Sequence, residues 1–505
     1  MPSIPLAVAP SVKTPGLYIT VNLLGALANA GDLTHRALLI APKSSAGNIT
    51  AQTEVRQVFG PDDVSISHGP GTQAHLAAKK YFARNPGGPV DVVAPTASAG
   101  AVATATQTFT GPASGENSAI RFRVHGRLID VAWNSGEAAT TFVARAVAAI
   151  NAEGDDLAVV ASDATLGSIL YTAKVAGLWG NDILINASIL TGGTGIAITV
   201  NPAALTGGTL EPTFTTVLSL VATRKYRRIV PCCSNDDASS SSGTSGPGRV
   251  ETHIDTLETG NEAKLQVGVI GHTGTIANVK AGAIAKNNEA MQYVFGQTFD
   301  DLPCEIAAAE AGDALRFVTQ RANYNRIGNR LDLLGPADPV GEKPTGAEVE
   351  DLLANGVTPL NIEPLTGEIF TVRPITSHSL NGSTPDYRAF DLSDTDGMYS
   401  VVEDLQATLP QEFANASITE DLPAGVNRLP PGVVERKDVE AFVINRLGKQ
   451  VDLGVVDANR LEQSISSGEL IVQINATDPT QVDIFLPAKI VKPLAKFGLT
   501  ASKVA

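Results

Sequence analysis

Along the first hundred residues, short unbroken apolar runs alternate with amphipathic stretches. Arg36-Ala37-Leu38-Leu39-Ile40-Ala41 and Val90-Asp91-Val92-Val93-Ala94 have the near-continuous apolar character of strands buried on both faces. Between them, Gln73 to Asn85 places Leu76, Ala77, Lys80 and Tyr81 at helical spacing, and Pro86-Gly87-Gly88-Pro89 ends that helix. A shorter helix is predicted over Thr53 to Phe59. Strand, helix, strand in this order predicts an α/β unit with a parallel sheet.

From about Thr96 the period changes to two. Ile120-Arg121-Phe122-Arg123-Val124, Leu128-Ile129-Asp130-Val131-Ala132 and Ile183-Leu184-Ile185-Asn186-Ala187 read as strands, in a background rich in Thr, Ala, Gly and Ser. One amphipathic segment, Ala138 to Asn151, carries Phe142, Val143, Ala146, Val147 and Ile150 at near-helical spacing. After Leu210 the earlier pattern resumes, with buried-strand runs at Tyr226 to Pro231 and Leu265 to Gly271 flanked by helices at Arg249 to Asn261 and Thr275 to Asn287. A mainly-β segment inserted into an α/β unit is the simplest reading. The Ser- and Gly-rich Asp236 to Gly248 is predicted to be a surface loop. Farther on, helices are predicted over Thr395 to Leu409 and Val433 to Leu447, and strands over Glu469 to Asn475 and Val482 to Val491. Near the start, Gly16 to Asn22 is a β-prone run isolated by proline-broken sequence.

Composition narrows the function. At 505 residues and 43% hydrophobic content the chain is long enough for several cores. A net charge of −15 argues against a general nucleic-acid binder, which needs a basic face. The cluster Arg224, Lys225, Arg227, Arg228 is a candidate local patch, or else a solvated strand start or subunit contact. No run approaches the roughly 20 apolar residues that span a bilayer. The segment Met1 to Pro15, with Lys13 as its only basic side chain, lacks the plan of a secretory signal, so a protein made and kept in a cytoplasm is expected. Cys232, Cys233 and Cys304 give neither a disulfide framework nor zinc-ligand spacing, and are expected to be buried thiols.

Motifs for catalysis are missing from the sequence. There is no G-x-x-x-x-G-K-[ST], no strand-to-helix G-x-G-x-x-G, no G-x-S-x-G and no H-E-x-x-H. Gly271-His272-Thr273-Gly274-Thr275 follows a predicted strand and precedes a helix, so its amides could hold an anion, although an ordinary βα loop has the same form. Asp255, His272 and one of several serines could be assembled on paper into a nucleophilic triad. No catalytic residue, cofactor or metal site is assigned.

Four segments in order resemble the contractile tail sheath proteins of bacteriophages, most closely the Mu-like branch. These are Thr14-Pro15-Gly16-Leu17-Tyr18-Ile19; Val58-Phe59-Gly60-Pro61 with Gly71 and Tyr81-Phe82-Ala83-Arg84-Asn85-Pro86; Thr172-Ala173-Lys174 with Gly177 and Gly180-Asn181-Asp182-Ile183; and Leu353-Ala354-Asn355-Gly356-Val357-Thr358-Pro359-Leu360 with Arg373-Pro374-Ile375-Thr376. Gly71-Thr72 stands where Gly-Ser is usual, and Thr358 where Asn is common.

The resemblance implies an α/β and α+β multidomain chain. Its expected parts are an N-terminal arm (1–25), a subtilisin-like α/β core domain (26–97 and 211–380), an inserted β-rich surface domain (98–210), a C-terminal α+β domain (381–480) and a C-terminal strand and arm (481–505). "Subtilisin-like" describes that family's fold and carries no protease activity. The implied function is structural, with no enzyme activity: six-membered rings stacked helically around a tail tube, contracting to drive the tube through the host envelope during genome delivery. The implied partners are other copies of the chain, the tube protein, and baseplate and terminator proteins, with no direct nucleic acid and no stable membrane insertion. The implied location is the virion, after synthesis in the host bacterial cytoplasm. Strand addition between neighbours falls to Leu17, Tyr18, Ile19, Thr20, Val21 and to Val482, Asp483, Ile484, Phe485, Leu486. The sheath of a phage-derived injection particle, a hydrolase built on the α/β domain, and a tail tube or other virion protein with a related β domain are the alternatives.

Overall fold

The computed structural model describes residues 35–111, 117–191, 195–259, 263–318, 321–339, 341–422, 429–486 and 489–494. The expected N-terminal arm, with Leu17, Tyr18, Ile19, Thr20 and Val21, lies outside these residues.

The protein is a mixed α/β chain with several sheets, the largest of nine strands. Its parallel centre runs Val90–Val93, Ala37–Ile40, Arg228–Pro231, Val267–His272, Met291–Phe295 and Val357–Ile362. Antiparallel strands close both sides: Val55–Val58 on Val90–Val93, and Ile369–Thr371 with Arg330–Leu331 beyond Val357–Ile362. The segment Thr53 to Phe59 is therefore strand, not helix. Four residues between a turn and Gly60-Pro61 are too few for a stable helix, and Val55 and Val58 lie opposite Val93 and Val90 at the sheet edge.

Side chains of successive strand residues point to opposite faces, and here both faces are covered. Ala37 and Leu39 enter one hydrophobic cluster, whereas Leu38 and Ile40 enter the other. The first face carries the helices Gln73–Arg84 and Pro303–Val318, which cross closely at Gly312: a Cβ there would lie 2.6 Å from the Tyr81 carbonyl oxygen. Pro303–Val318 is buried nearly all round and so has no amphipathic stripe for a sequence pattern to reveal. The second face carries Gly246–Leu257, Ile276–Lys286, Leu392–Glu412 and Arg436–Asp452.

The chain leaves the large sheet after Val93 and returns at Arg228. Between them it builds a four-stranded sheet (Ala197–Val200, Thr104–Thr110, Ser168–Ala173, Val159–Thr165) and a three-stranded one (Arg127–Trp133, Ser118–Val124, Ile185–Thr191). Ser118–Val124 alternates buried and half-buried positions without a break, as its sequence alternation requires. The two sheets and the helix Ala139–Ala152 share an aromatic core. Phe142 stacks on Trp133 at 4.2 Å between centroids, and Phe109 meets Phe122 and Phe142 edge-on at 5.7 and 5.6 Å. This core belongs to the first-face cluster.

The Asp236 to Gly248 stretch is more ordered than a surface loop. Ser234 caps the helix Asn235–Ala238, and Ser245 caps Gly246–Leu257, whose first residues are buried against Phe214. Serine here serves as a helix N-cap, which composition alone does not distinguish from loop.

Both tryptophans of the sequence, Trp133 and Trp179, lie in the inserted segment, so tryptophan fluorescence reports its unfolding. Phe142→Ala is expected to destabilise the fluorescence-monitored transition by about 3–5 kcal/mol in guanidinium titrations. A loss below ~1 kcal/mol would show that the aromatic cluster is not what holds this segment together.

Candidate functional site

The residues that sequence placed in a triad do not assemble into one. His272, at the end of its strand, puts Nε2 2.9 Å from the Ser239 hydroxyl. Its Nδ1, however, accepts the Gly274 N–H at 3.0 Å, so the ring proton sits on Nε2 and points at the serine. The serine in turn donates to the Asn235 carbonyl at 2.7 Å. In this tautomer the imidazole has no lone pair facing the hydroxyl and cannot act as its base. Burial lowers the His272 pKa to about 4. Asp255 instead accepts from Asn288 at 3.1 Å.

In the Gly271 to Thr275 turn the Thr273 and Gly274 N–H groups are already engaged within the protein. Thr273 N–H bonds the Asn235 side chain at 2.8 Å, and Thr275 caps the helix that follows. Asp182 grips the same Asn235 through two bonds of 2.9 Å, and Glu211 accepts the Ser234 N–H at 3.2 Å. Burial pushes Asp182 up to about 7 and Glu211 up to about 8. These groups lock the inserted segment to the large sheet. Cys232, Cys233 and Cys304 are buried thiols. A concavity at Tyr324, Arg326, Pro374 and Pro493 has a cavity volume of about 10 Å³, room for about one water and far below the ~300–1,000 Å³ of small-molecule sites. Among the described residues no helix is long and apolar enough to cross a membrane, and no His/Cys/Asp/Glu group is placed to hold a metal.

The basic cluster is not an unpaired surface patch. Arg224 pairs with Asp91 at 3.0 Å and Lys225 with Glu403 at 2.9 Å, while Arg227 and Arg228 are fully buried. Arg228 meets Asp396 at 2.6 Å; Arg227 reaches Asp396 and Glu403 at 3.5 and 3.4 Å and lies over the Tyr399 ring. Arg326 joins Glu310, on Pro303–Val318, at 2.6 Å. Three guanidiniums thus balance three carboxylates at the amino ends of the parallel strands. Burial opposes ionisation of Asp396, yet Arg228 and Arg227 hold its carboxyl below the usual range. The network ties Leu392–Glu412 on one face to Pro303–Val318 on the other. Sequence shows the basic run but not its acidic partners, which lie 133 residues or more away along the chain.

The second predicted strand site, Val482 to Leu486, is described. Val482–Phe485 pairs antiparallel with Ile471–Ile474 in a two-stranded sheet. Val472, Val482 and Ile484 turn toward the second-face core, while Phe485 is exposed. A polar turn fixes the register: Asn475 accepts the Thr477 and Asp478 N–H groups, and Asp478 accepts from Thr480. Asp483 is held by the Asn475 and Gln481 amides at 3.0 and 2.6 Å. The Asn475 N–H bonds the Gln481 carbonyl at 2.9 Å, so alternation along the ladder turns the peptide groups of Val482 and Ile484 away from the partner strand. That edge carries no strand among the described residues. Beyond it, Ile490 bridges to Val456, Asn323 donates to the Val491 carbonyl at 3.0 Å, and Lys492 pairs with Asp394.

No family model and no curated protein matches this chain. Among solved structures it is similar to a sheath tail protein from Listeria innocua, at 16% identity over 93% of this chain and 97% of that one, with a TM-score of 0.47. It is likewise similar to a sheath tail protein from Desulfitobacterium hafniense, at 13% identity over 95% and 100%, with a TM-score of 0.46. A third is the contracted sheath complex of an extracellular contractile injection system, at 12% identity over 97% and 98%, with a TM-score of 0.45.

Removing Asp396 leaves buried guanidiniums without their carboxylate. Asp396→Ala is expected to cost about 3–5 kcal/mol in chemical denaturation. Arg330→Ala, which breaks an exposed pair with Glu368, should leave the midpoint nearly unchanged. Equal effects of the two would show that the buried network is not a structural joint.

Proposed function

We propose that this chain is the structural subunit of a contractile tail sheath, polymerising as stacked six-membered rings around a tail tube and contracting without nucleotide. The observation that carries the reading is the ordered set of sheath-like segments. Three of the four lie among the described residues, each in a distinct part of the fold. Val58 to Pro86 forms the edge strand and first-face helices, Thr172 to Ile183 lies in the insertion, and Leu353 to Thr376 spans the outer parallel strand and its exit toward the C-terminal helices. The proposed parts keep the bounds 1–25, 26–97 with 211–380, 98–210, 381–480 and 481–505, with a subtilisin-like core. The protein acts in the particle, against tube, baseplate and terminator proteins, and performs no catalysis.

The assembly chemistry is strand addition. An open two-residue-period edge beside a β-prone terminal segment is an aggregation liability unless assembly uses it. Leu17 to Val21 of one copy adds to the free edge of Val482 to Leu486 in a neighbour, main chain to main chain, and alternate side chains set the register. Contraction is then rigid-body movement of subunits about these shared sheets. A phage tail and a phage-derived injection particle make the same demand on this chain.

Two experiments test the reading. Negative-stain microscopy of the purified chain should show long hollow cylinders; small monodisperse particles under every salt condition would sink it. Deleting residues 1–22, or introducing Ile484→Pro to remove an outward N–H while sparing the intrachain ladder, should leave native circular dichroism and abolish cylinders. Cylinders formed by either variant would rule out this strand-addition mechanism while leaving the sheath reading intact.

A further inference from the structure

The hairpin joining Ser118–Val124 to Arg127–Trp133 drives its tip into the large sheet's first-face cover. His125 and Gly126 both take positive φ, 47° and 73°, which is the backbone of a tight two-residue hairpin turn. At Gly126 a Cβ would meet Leu334 and Asp300 at 2.8 and 3.0 Å, so the tip fits only without a side chain there. The His125 N–H is also fixed, on the Leu184 carbonyl at 2.9 Å.

Charges converge on this tip from every element that packs around it. Glu305, in the first turn of Pro303–Val318, lies 2.7 Å from His125 Nε2, and both side chains are buried to within 2%. The Glu305 carboxylate also accepts the Leu302 N–H at 2.8 Å. Asp301 pairs with Lys80 of Gln73–Arg84 at 2.9 Å and accepts the Leu334 and Gly335 N–H groups at 2.7 and 3.0 Å. Asp300 pairs with Arg123. Asp332, which also acts on Lys80, is exposed. Lys80 and Arg123 are thus committed to Asp301 and Asp300. Lys80 also acts on Glu305 from a distance, but His125 is the cation hydrogen-bonded to that carboxylate, and only when the imidazole is doubly protonated.

We propose that a proton on His125 latches the inserted segment to the α/β sheet, and that this docking loosens as the pH rises above neutrality. Deprotonation removes the charge in contact with Glu305 and leaves only Lys80, already paired with Asp301, to offset a buried carboxylate. Two effects oppose the proton: burial, and the lack of a hydrogen-bond partner for His125 Nδ1. The carboxylates outweigh them, and the His125 pKa is raised above its ordinary value. A raised histidine contributes stability that is full below about pH 6.5 and lost as the pH climbs through the folded value. Imidazole is the side chain whose charge changes closest to neutrality, so the latch acts in a range particles meet.

Global alkaline stability also draws on Asp182 and Glu211, so the test is local. Hydrogen exchange of the full-length chain, corrected for intrinsic rate, compares residues 118–133 with the Val267–His272 strand between pH 6 and 9. In the unmodified chain, opening of 118–133 should increase about tenfold or more relative to the reference strand. In His125→Gln, which retains a donor but no titrating proton, opening should be high throughout and flat with pH. Glu305→Gln, which removes the charge that demands the proton, should also be flat, and it serves if His125→Gln does not fold. A variant profile parallel to the unmodified one, or an NMR titration showing neutral His125 at pH 6, would overturn the proposal.

Discussion

A parallel strand cannot be reached by a hairpin, and a parallel sheet hydrogen-bonded to its limits still has two apolar faces to hide. That constraint governs this molecule. The central strands are buried on both sides, so each needs covering material, and the chain supplies it from different regions. The first face takes two helices and the core of the insertion; the second takes helices from the middle and C-terminal sequence. What a linear reading presents as separate segments is therefore one layered body about a common sheet.

Polar joints then fix where these layers sit. Hydrophobic burial is non-directional and would tolerate sliding of helices over the sheet. The buried guanidinium–carboxylate network at the amino ends of the strands allows far fewer arrangements, because each displaced charge would be left unpaired. The His125 cluster plays the same part for the insertion. Both consume many desolvated charges, so their contribution is to geometry more than to net stability.

The C-terminal hairpin follows a different logic. Its register is local, set by the Asn475 to Gln481 turn and by three apolar residues facing the core. Its outer edge carries no strand among the described residues.

Legible from sequence were the elements whose signal is periodic: the buried runs at Ala37–Ile40, Val90–Val93 and Val267–His272, the alternating strands of the insertion, and the strand at Val482–Phe485. Local chemistry of side chains and backbone is enough for those. It misread Thr53 to Phe59 because a four-residue strand has little pattern. It passed over Pro303–Val318 because a helix buried on every side has no polar face. The fate of the charges was set by packing. Arg227 and Arg228 look like a surface patch until Asp396 and Glu403 arrive from distant sequence, and His125 looks ordinary until Glu305 meets it. The physical reason is that a charge's role is set by dielectric and counter-charge, which belong to the packed interior and have no local code.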